Sequence, residues 1–470
     1  MRTLLLAAAA SLSIAHAQAI PEDVLQTADE LMREALSDET GYKVTESLTT
    51  EVGPRLGGSE AEARARAWAE AKLTELGFAN VRTETFDMPY WERVREELVI
   101  TDPFPQPLEI TALGNSVGTG RRGVTAEVVR FETLDDLIEA PMDQSLQGKI
   151  VFVDEGMTRT QDGSGYGVAV RKRSGAANEG AKRGAVAALI RSVGTDQHRF
   201  PHTGMMRYDD EVTAIPTAAL SFSDAEQLAR AMERGPVTVK LDMAVRTRKT
   251  VESGNVIAEI PGETDEVVVI GGHLDSWDLG TGAVDDGAGI GITTGAAKLI
   301  LDHVNETGEK PLRTIRLVYW GAEEVGLVGA RAYANAYRDS LDKHAVAAES
   351  DFGAGRIYQL DTRFGEGREE AARQMARVLR PIGIAPGNNM ASGGPDVSPL
   401  RAAGVPVVTL KQNGWDYFDL HHTADDTLDK IDPEALAQNV AAYAAFTWMA
   451  ANAPEGFRKS EDDADPASSE

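Results

Sequence analysis

The sequence predicts an α/β fold, a layered central sheet flanked by helices, with a β-rich module inserted into it. Two observations carry the prediction. Beyond residue 244, compact apolar runs ("EVVVIGG", "TIRLVYW", "AVAAES", "GVPVVTL") alternate with helical stretches at 287–303 and 366–380, the pattern of buried strands between helices. Between residues 118 and 243, short β-type runs ("TAEVVRF", "KIVFVD", "AVAALIR", "VTVKLDMAV") are separated by loops and two short helical patterns.

The elements follow in chain order. "MRTLLLAAAASLSIAHAQA" opens with a basic residue and an apolar run and ends in small residues, which predicts a cleavable export signal over 1–19. No later run approaches the ~18 apolar residues that a membrane span needs. From Pro21 to Leu76 the pattern is helical. In its last helix Ala65, Trp68, Ala69, Leu73 and Leu76 share a face, with Ser59 as N-cap and Gly77 as the stop. "NVRTETFDMPYW" then alternates as a strand that can join the later sheet. The expected organisation is a catalytic domain in two parts, 20–117 and 244–458, interrupted by the module 118–243. Residues 459–470, rich in acids, are expected to form a disordered tail.

The formal charge is −27, from 47 basic and 74 acidic residues. Nucleic acid and anionic membrane surfaces need a basic footprint, so the charge argues against both as partners. The chain has no cysteine. Its stability therefore comes from packing and bound groups rather than disulfides.

One stretch needs a special explanation. "GGHLDSWDLGTGAVDDGAGIG" (271–291) crowds one histidine and four aspartates among seven glycines. In a layered α/β sheet, ligands bind at strand ends. Four segments place ionisable side chains just after a predicted strand: His273 and Asp275; Glu323 and Glu324; Glu349 and Asp351; His421, His422 and Asp426. Asp285 and Asp286 sit in the loop after the first of these strands. Any one of these could be a solvated surface group, but the set converges on the place where the fold class puts its site. Histidine and carboxylate without thiolate suits zinc, manganese or cobalt. Two divalent ions would nearly balance the clustered carboxylates.

"GGHLDSWD", "GAVDDGAG", "AEE", "ESD" and "HHT…DT", in that order, resemble the co-catalytic dizinc exopeptidases, and within them the plasma glutamate carboxypeptidase group. "PHTG" (201–204) and "LIRS" (189–192) lie in a region similar to that group's protease-associated insert. The resemblance implies the zinc exopeptidase fold, with a mixed central sheet, and two zinc ions per chain. His273 and Asp351 would hold one ion, Glu324 and His422 the other, with Asp285 bridging and the Asp285–Asp286 peptide bond cis. Glu323 would be the general base, Asp275 would orient His273, and His421 would donate a hydrogen bond to the tetrahedral intermediate. His422 is chosen over His421 because neighbours on an extended segment face opposite sides, and Asp426 is expected to fix its other ring nitrogen.

Other groups read more weakly. His198 and His202 form either an ordinary polar loop or one that closes over the site and holds substrate. Asp396, in "GGPDVSPL", is a candidate contact for a substrate amine. Glu349 reads as packed, and His303 and His344 as structural. The implied activity is a secreted or periplasmic zinc exopeptidase acting on dipeptides or short peptides, with a homodimer left open. An aminopeptidase on longer peptides and a non-catalytic partner-binding ectodomain are the alternatives; the complete ligand set argues against the second.

Overall fold

The computed structural model describes residues 19–458. The expected acidic tail, and the export signal up to its last residue, lie outside the described residues. The central sheet runs in the order Ala385–Pro386, Ile357–Arg363, Val407–Gln412, His344–Glu349, Val267–His273, Thr314–Trp320 and Thr238–Ile260. Its four middle strands are parallel, while Ile357–Arg363 and Thr238–Ile260 pair antiparallel at its flanks, so the sheet is mixed. The parallel strands are covered on both faces. Every residue of Val267–His273 and of His344–Glu349 is buried. Alternation sends Val268 and Ile270 into one core, and Val267 and Val269 into another.

The first core is closed by Ala288–Thr307 and Pro433–Asn452, with the N-terminal helices Glu22–Ala35 and Thr40–Glu51 packed on them. Pro433–Asn452 starts where Asp432 accepts hydrogen bonds from the Glu434 and Ala435 amides, and nearly all of it is buried. The second core is closed by Val328–Ala336 and Ser398–Ala402. Glu60–Glu75 begins as expected, with the Ser59 side chain accepting from the Glu62 amide at 3.1 Å.

Two long strands, Ala79–Asp102 and Thr238–Ile260, pair antiparallel along almost their whole length. They carry the chain out of the central sheet and into a second one. The expected boundary at residue 243 falls inside one of these unbroken strands. The second sheet continues through Val124–Phe131, Ile150–Val153, Ala187–Arg191 and Thr217–Leu220, all parallel, to Ile110–Ala112. Four helices accompany it: Leu134–Glu139, Ser164–Ala169, Arg171–Lys182 and Phe222–Met232. The module thus holds more helix than its β-type runs suggest. Arg171–Lys182 buries Ala176, Ala177 and Gly180 together with Lys172 and Arg173, so it shows no broad apolar stripe.

Candidate metal centre

The four middle strands end side by side, and their C-terminal ends carry the candidate ligands. His273 closes Val267–His273, Glu323 and Glu324 follow Thr314–Trp320, and Asp351 lies two residues past His344–Glu349. The segment after Val407–Gln412 turns through Tyr417–Leu420 and delivers His421 and His422. Asp285 and Asp286 form a turn into Ala288–Thr307, and their peptide bond is cis.

The glycines around this turn permit close approach. The Asp286 carboxylate accepts hydrogen bonds from the amides of His273 and Gly289, each at 3.0 Å. A Cβ on Gly272 would lie 2.5 Å from Asp286 Oδ2, and one on Gly289 only 1.9 Å from the Ser350 carbonyl. Side chains there would push the aspartate turn off the strand ends.

Asp285 stands at the middle of the cluster. Its Oδ1 lies 2.9 Å from His273 Nε2, which is itself 3.7 Å from Asp351 Oδ1. Its Oδ2 lies 3.3 Å from His422 Nε2, which is 3.0 Å from Glu324 Oε2. His421 Nε2 is 3.6 Å from the same Oδ2. Ligand atoms of His273, Asp285 and Asp351 all fall within 4.8 Å of one another, and so do those of Asp285, His421 and His422. Among the described residues no lysine or arginine forms an ion pair with Asp285, Glu324 or Asp351. Asp285 Oδ2, Glu324 Oε1 and His421 Nδ1 are buried without a hydrogen-bond partner. Buried polar atoms are normally satisfied, so this donor set fits divalent cations.

The electrostatics agree. Burial, followed by repulsion from Asp285, pushes Glu324 well above the usual carboxyl range. Glu323 is also raised well above that range, by burial first and then by Asp351 and Glu324, against the pull of His273. Burial acts the same way on Asp285, but the imidazoles of His273 and His422 beside it overcome this and hold that carboxyl well below its ordinary value.

Asp275 ties two ligand-bearing segments together. Its carboxylate accepts from the amides of Glu323 at 2.9 Å and Glu324 at 3.3 Å, and its backbone carbonyl lies 2.9 Å from His273 Nδ1. It therefore orients His273 chiefly through the main chain, and sets where the two glutamates begin.

Comparison with known proteins fixes the family. The profile of peptidase family M28 matches residues 255–447. Carboxypeptidase Q of Mus musculus is 34% identical, over 88% of this chain and 86% of its own length. Carboxypeptidase Q of Bos taurus is 35% identical, over 89% and 87%. The chain belongs to peptidase family M28. It is a metallo-exopeptidase of that family. A solved peptidase M28 precursor from Shewanella amazonensis superposes with a TM-score of 0.90 at 51% identity, covering 93% of this chain and 98% of that one. A zinc aminopeptidase from Bacillus subtilis shares the fold at 19% identity and a TM-score of 0.62. No helix among the described residues is long and apolar enough to cross a membrane.

Several expectations for this M28 site need correction. Asp426 does not touch His422. It accepts from the amides of Val284 at 2.6 Å and Asp285 at 3.3 Å, and so holds the aspartate turn instead. The segment at 421–422 is not extended: His422 has a φ of 64°, and the two imidazoles stack 3.5 Å apart with both facing Asp285. Opposite faces of an extended strand therefore do not distinguish His422 from His421. His422 Nδ1 lies 3.2 Å from the Thr203 carbonyl of the inserted module.

A cavity of about 630 Å³ is lined by Asp285, Glu323, Glu324, Asp351, His421 and His422, and also by Tyr166 and Arg173. Neither His198 nor His202 lines it. His198 is exposed, edge-on to Phe200. His202 is buried behind the wall, with both ring nitrogens bonded. Asp396 is also off this cavity and buried; its amide donates to Glu349 Oε2 at 2.7 Å, and burial, then Glu349, raises its carboxyl well above the usual range. Glu349 is pushed up to about 8 by burial and Asp351. His344 bonds Tyr333, and His303 lies against Trp448, both away from the cavity.

Sequence reasoning missed Tyr166 and Arg173. Arg173, in "VRKRSG", reads as one charge of a solvated run, yet it is buried, bonded to the Tyr166 hydroxyl at 2.8 Å, and its Nε has no partner.

Proposed function

We propose that the protein is an exported dizinc exopeptidase that hydrolyses dipeptides or short peptides bearing a free C-terminal carboxylate. One observation carries the two-ion reading: the two oxygens of Asp285 face different donor groups, His273 with Asp351 on one side and His422 with Glu324 on the other. Those five residues would hold the zinc ions, with Asp285 shared. Bound zinc supplies Lewis acidity, activating water and polarising the scissile carbonyl.

The chain's own groups do the rest. Glu323, on the cavity wall, takes a proton from the attacking water on its carboxylate and delivers it to the leaving amine nitrogen. Its place on the wall beside the ligands Glu324 and Asp351 lets one carboxylate serve both halves of that transfer. His421 faces the cavity beside His422 and donates to the developing oxyanion. Arg173 has no carboxylate partner among the described residues, and its buried guanidinium suits a substrate carboxylate. The module around residues 118–243 would then be a protease-associated insert that completes the substrate pocket.

The test is metal content with substrate scope. Two zinc per chain, cleavage of dipeptides and N-blocked peptides, and loss of cleavage on C-terminal amidation support this reading. Cleavage of C-amidated peptides with no cleavage of N-blocked ones would establish the aminopeptidase alternative.

A further inference from the structure

The inserted module does more than wall the pocket. For His422 to offer Nε2 to a metal, its proton must sit on Nδ1, and Nδ1 then needs an acceptor. Two groups lie near it. Arg173 Nη2 is 3.4 Å away but is a donor, so it cannot serve a protonated Nδ1. The Thr203 carbonyl, at 3.2 Å, can. The contact is reciprocal, because the Thr203 amide donates to the His422 carbonyl at 3.0 Å.

That carbonyl is held from several sides. The Thr203 hydroxyl donates to the Ala112 carbonyl at 3.0 Å and accepts from Arg93 at 3.1 Å. Next to it, His202 spans 2.7 Å from Nδ1 to the His421 carbonyl and 2.7 Å from Nε2 to Asp196 Oδ1. Each ring nitrogen thus faces an oxygen, one on the His421 segment and one in its own loop. Gly194 packs so closely on this imidazole that a Cβ there would lie 2.3 Å from it. His202 and Thr203 are buried, and no substrate can reach them.

We propose that the inserted loop 196–203 is a positioning element of the metal centre: the Thr203 carbonyl sets the tautomer of His422, and the His202–Asp196 pair clamps the loop to the His421 carbonyl. The inference rests on the reading of His422 as a zinc ligand. It makes His202 and Thr203 positioning residues, and it makes retention of one zinc depend on the seating of the inserted module.

The experiment measures the dissociation constants of both zinc ions by chelator competition, beside thermal unfolding of the metal-free proteins. His202→Ala should weaken one ion roughly 10- to 100-fold, the usual cost of losing an outer partner, and leave the other unchanged. His202→Asn places an amide donor near the Nδ1 position and should recover part of that affinity, the Asp196 contact still being lost. His202→Gln places its amide near Nε2 and should not. Asp196→Asn should weaken the same ion, which keeps the test alive if His202→Ala fails to fold. Unchanged affinities for both ions, with only a lower unfolding temperature, would overturn the proposal and leave the loop merely structural. His422→Ala, measured in parallel, separates the two failures: if it too keeps both ions, the ligand assignment itself is wrong.

Discussion

Two sheets in this molecule end in buried charge, and they neutralise it differently. In the inserted module, Asp154 follows Ile150–Val153, and its side chain is wholly buried. Arg130 meets its Oδ2 at 2.7 Å, and Arg191, closing the next strand, meets its Oδ1 at 2.7 Å. In the central sheet, Asp285 occupies a comparable place among histidines and carboxylates, with no lysine or arginine paired to it among the described residues. Both clusters lie at the ends of parallel strands. Position alone therefore does not mark a reactive site. What distinguishes them is the partner inventory: the first carries its own cations, and the second leaves donor atoms waiting for them.

The sharpest way to break the comparison is to remove a group that only the second cluster should need for chemistry. Glu323→Gln should lower kcat by roughly 10²- to 10⁴-fold, the usual contribution of a positioned base. Zinc content and unfolding temperature should hardly move, since Gln keeps the shape and the Glu323 amide keeps its bond to Asp275. Steady-state kinetics beside elemental analysis decide it. A kcat within a few-fold of the parent would remove Glu323 from the role of base.

The complementary change is structural in one cluster and not in the other. Asp154→Ala leaves Arg130 unpaired and Arg191 with only Glu226, and breaking a buried pair in this way costs at most about 3–5 kcal/mol. It should leave zinc content intact. Glu324→Gln should do the reverse. Burial already disfavours the charged form in the metal-free protein, so the neutral isostere should leave metal-free stability nearly unchanged while one zinc is lost. Urea unfolding of the metal-free variants, with zinc counted separately, tests both signs. Equal destabilisation by the two substitutions would erase the distinction between the clusters.

Much of this was legible in the sequence, for physical reasons. Buried parallel strands announce themselves as apolar runs, so His273, Glu323, Glu324 and Asp351 could be placed at strand ends. Ser59 could be named as a cap because capping is a local interaction. Contacts across the fold were not legible. Thr203 acts through its carbonyl, a group every residue has, so nothing in "PHTG" distinguishes it. Asp426 is near His422 in sequence, but the left-handed backbone at His422 turns the chain and delivers that carboxylate to the aspartate turn. Arg173 was hidden because a buried guanidinium and a solvated one are spelled the same way.

A third kind of buried ionisable group has neither cation nor metal, only neutral partners. His344 lies in the central sheet with Nε2 2.9 Å from the Tyr333 hydroxyl and Nδ1 3.1 Å from the Ser340 carbonyl. Burial lowers its pKa to about 4 from 6.5, with Arg316 and Arg458 adding to the effect and the Ser340 carbonyl opposing it. The folded value is below the unfolded one, so between about pH 6.5 and 4 the unfolded chain binds the extra proton. Stability from this group is then fully present above pH 6.5 and drains away as pH falls through that window, by about 3 kcal/mol in all. His344→Gln cannot titrate. Urea unfolding of the metal-free proteins at several pH values should show the parent losing about that much more than the variant on acidification, although the variant starts lower at pH 7. Parallel curves for the two proteins would mean that His344 takes up its proton without unfolding, and that neutral partners tolerate a charge in this core as readily as the arginines tolerate Asp154.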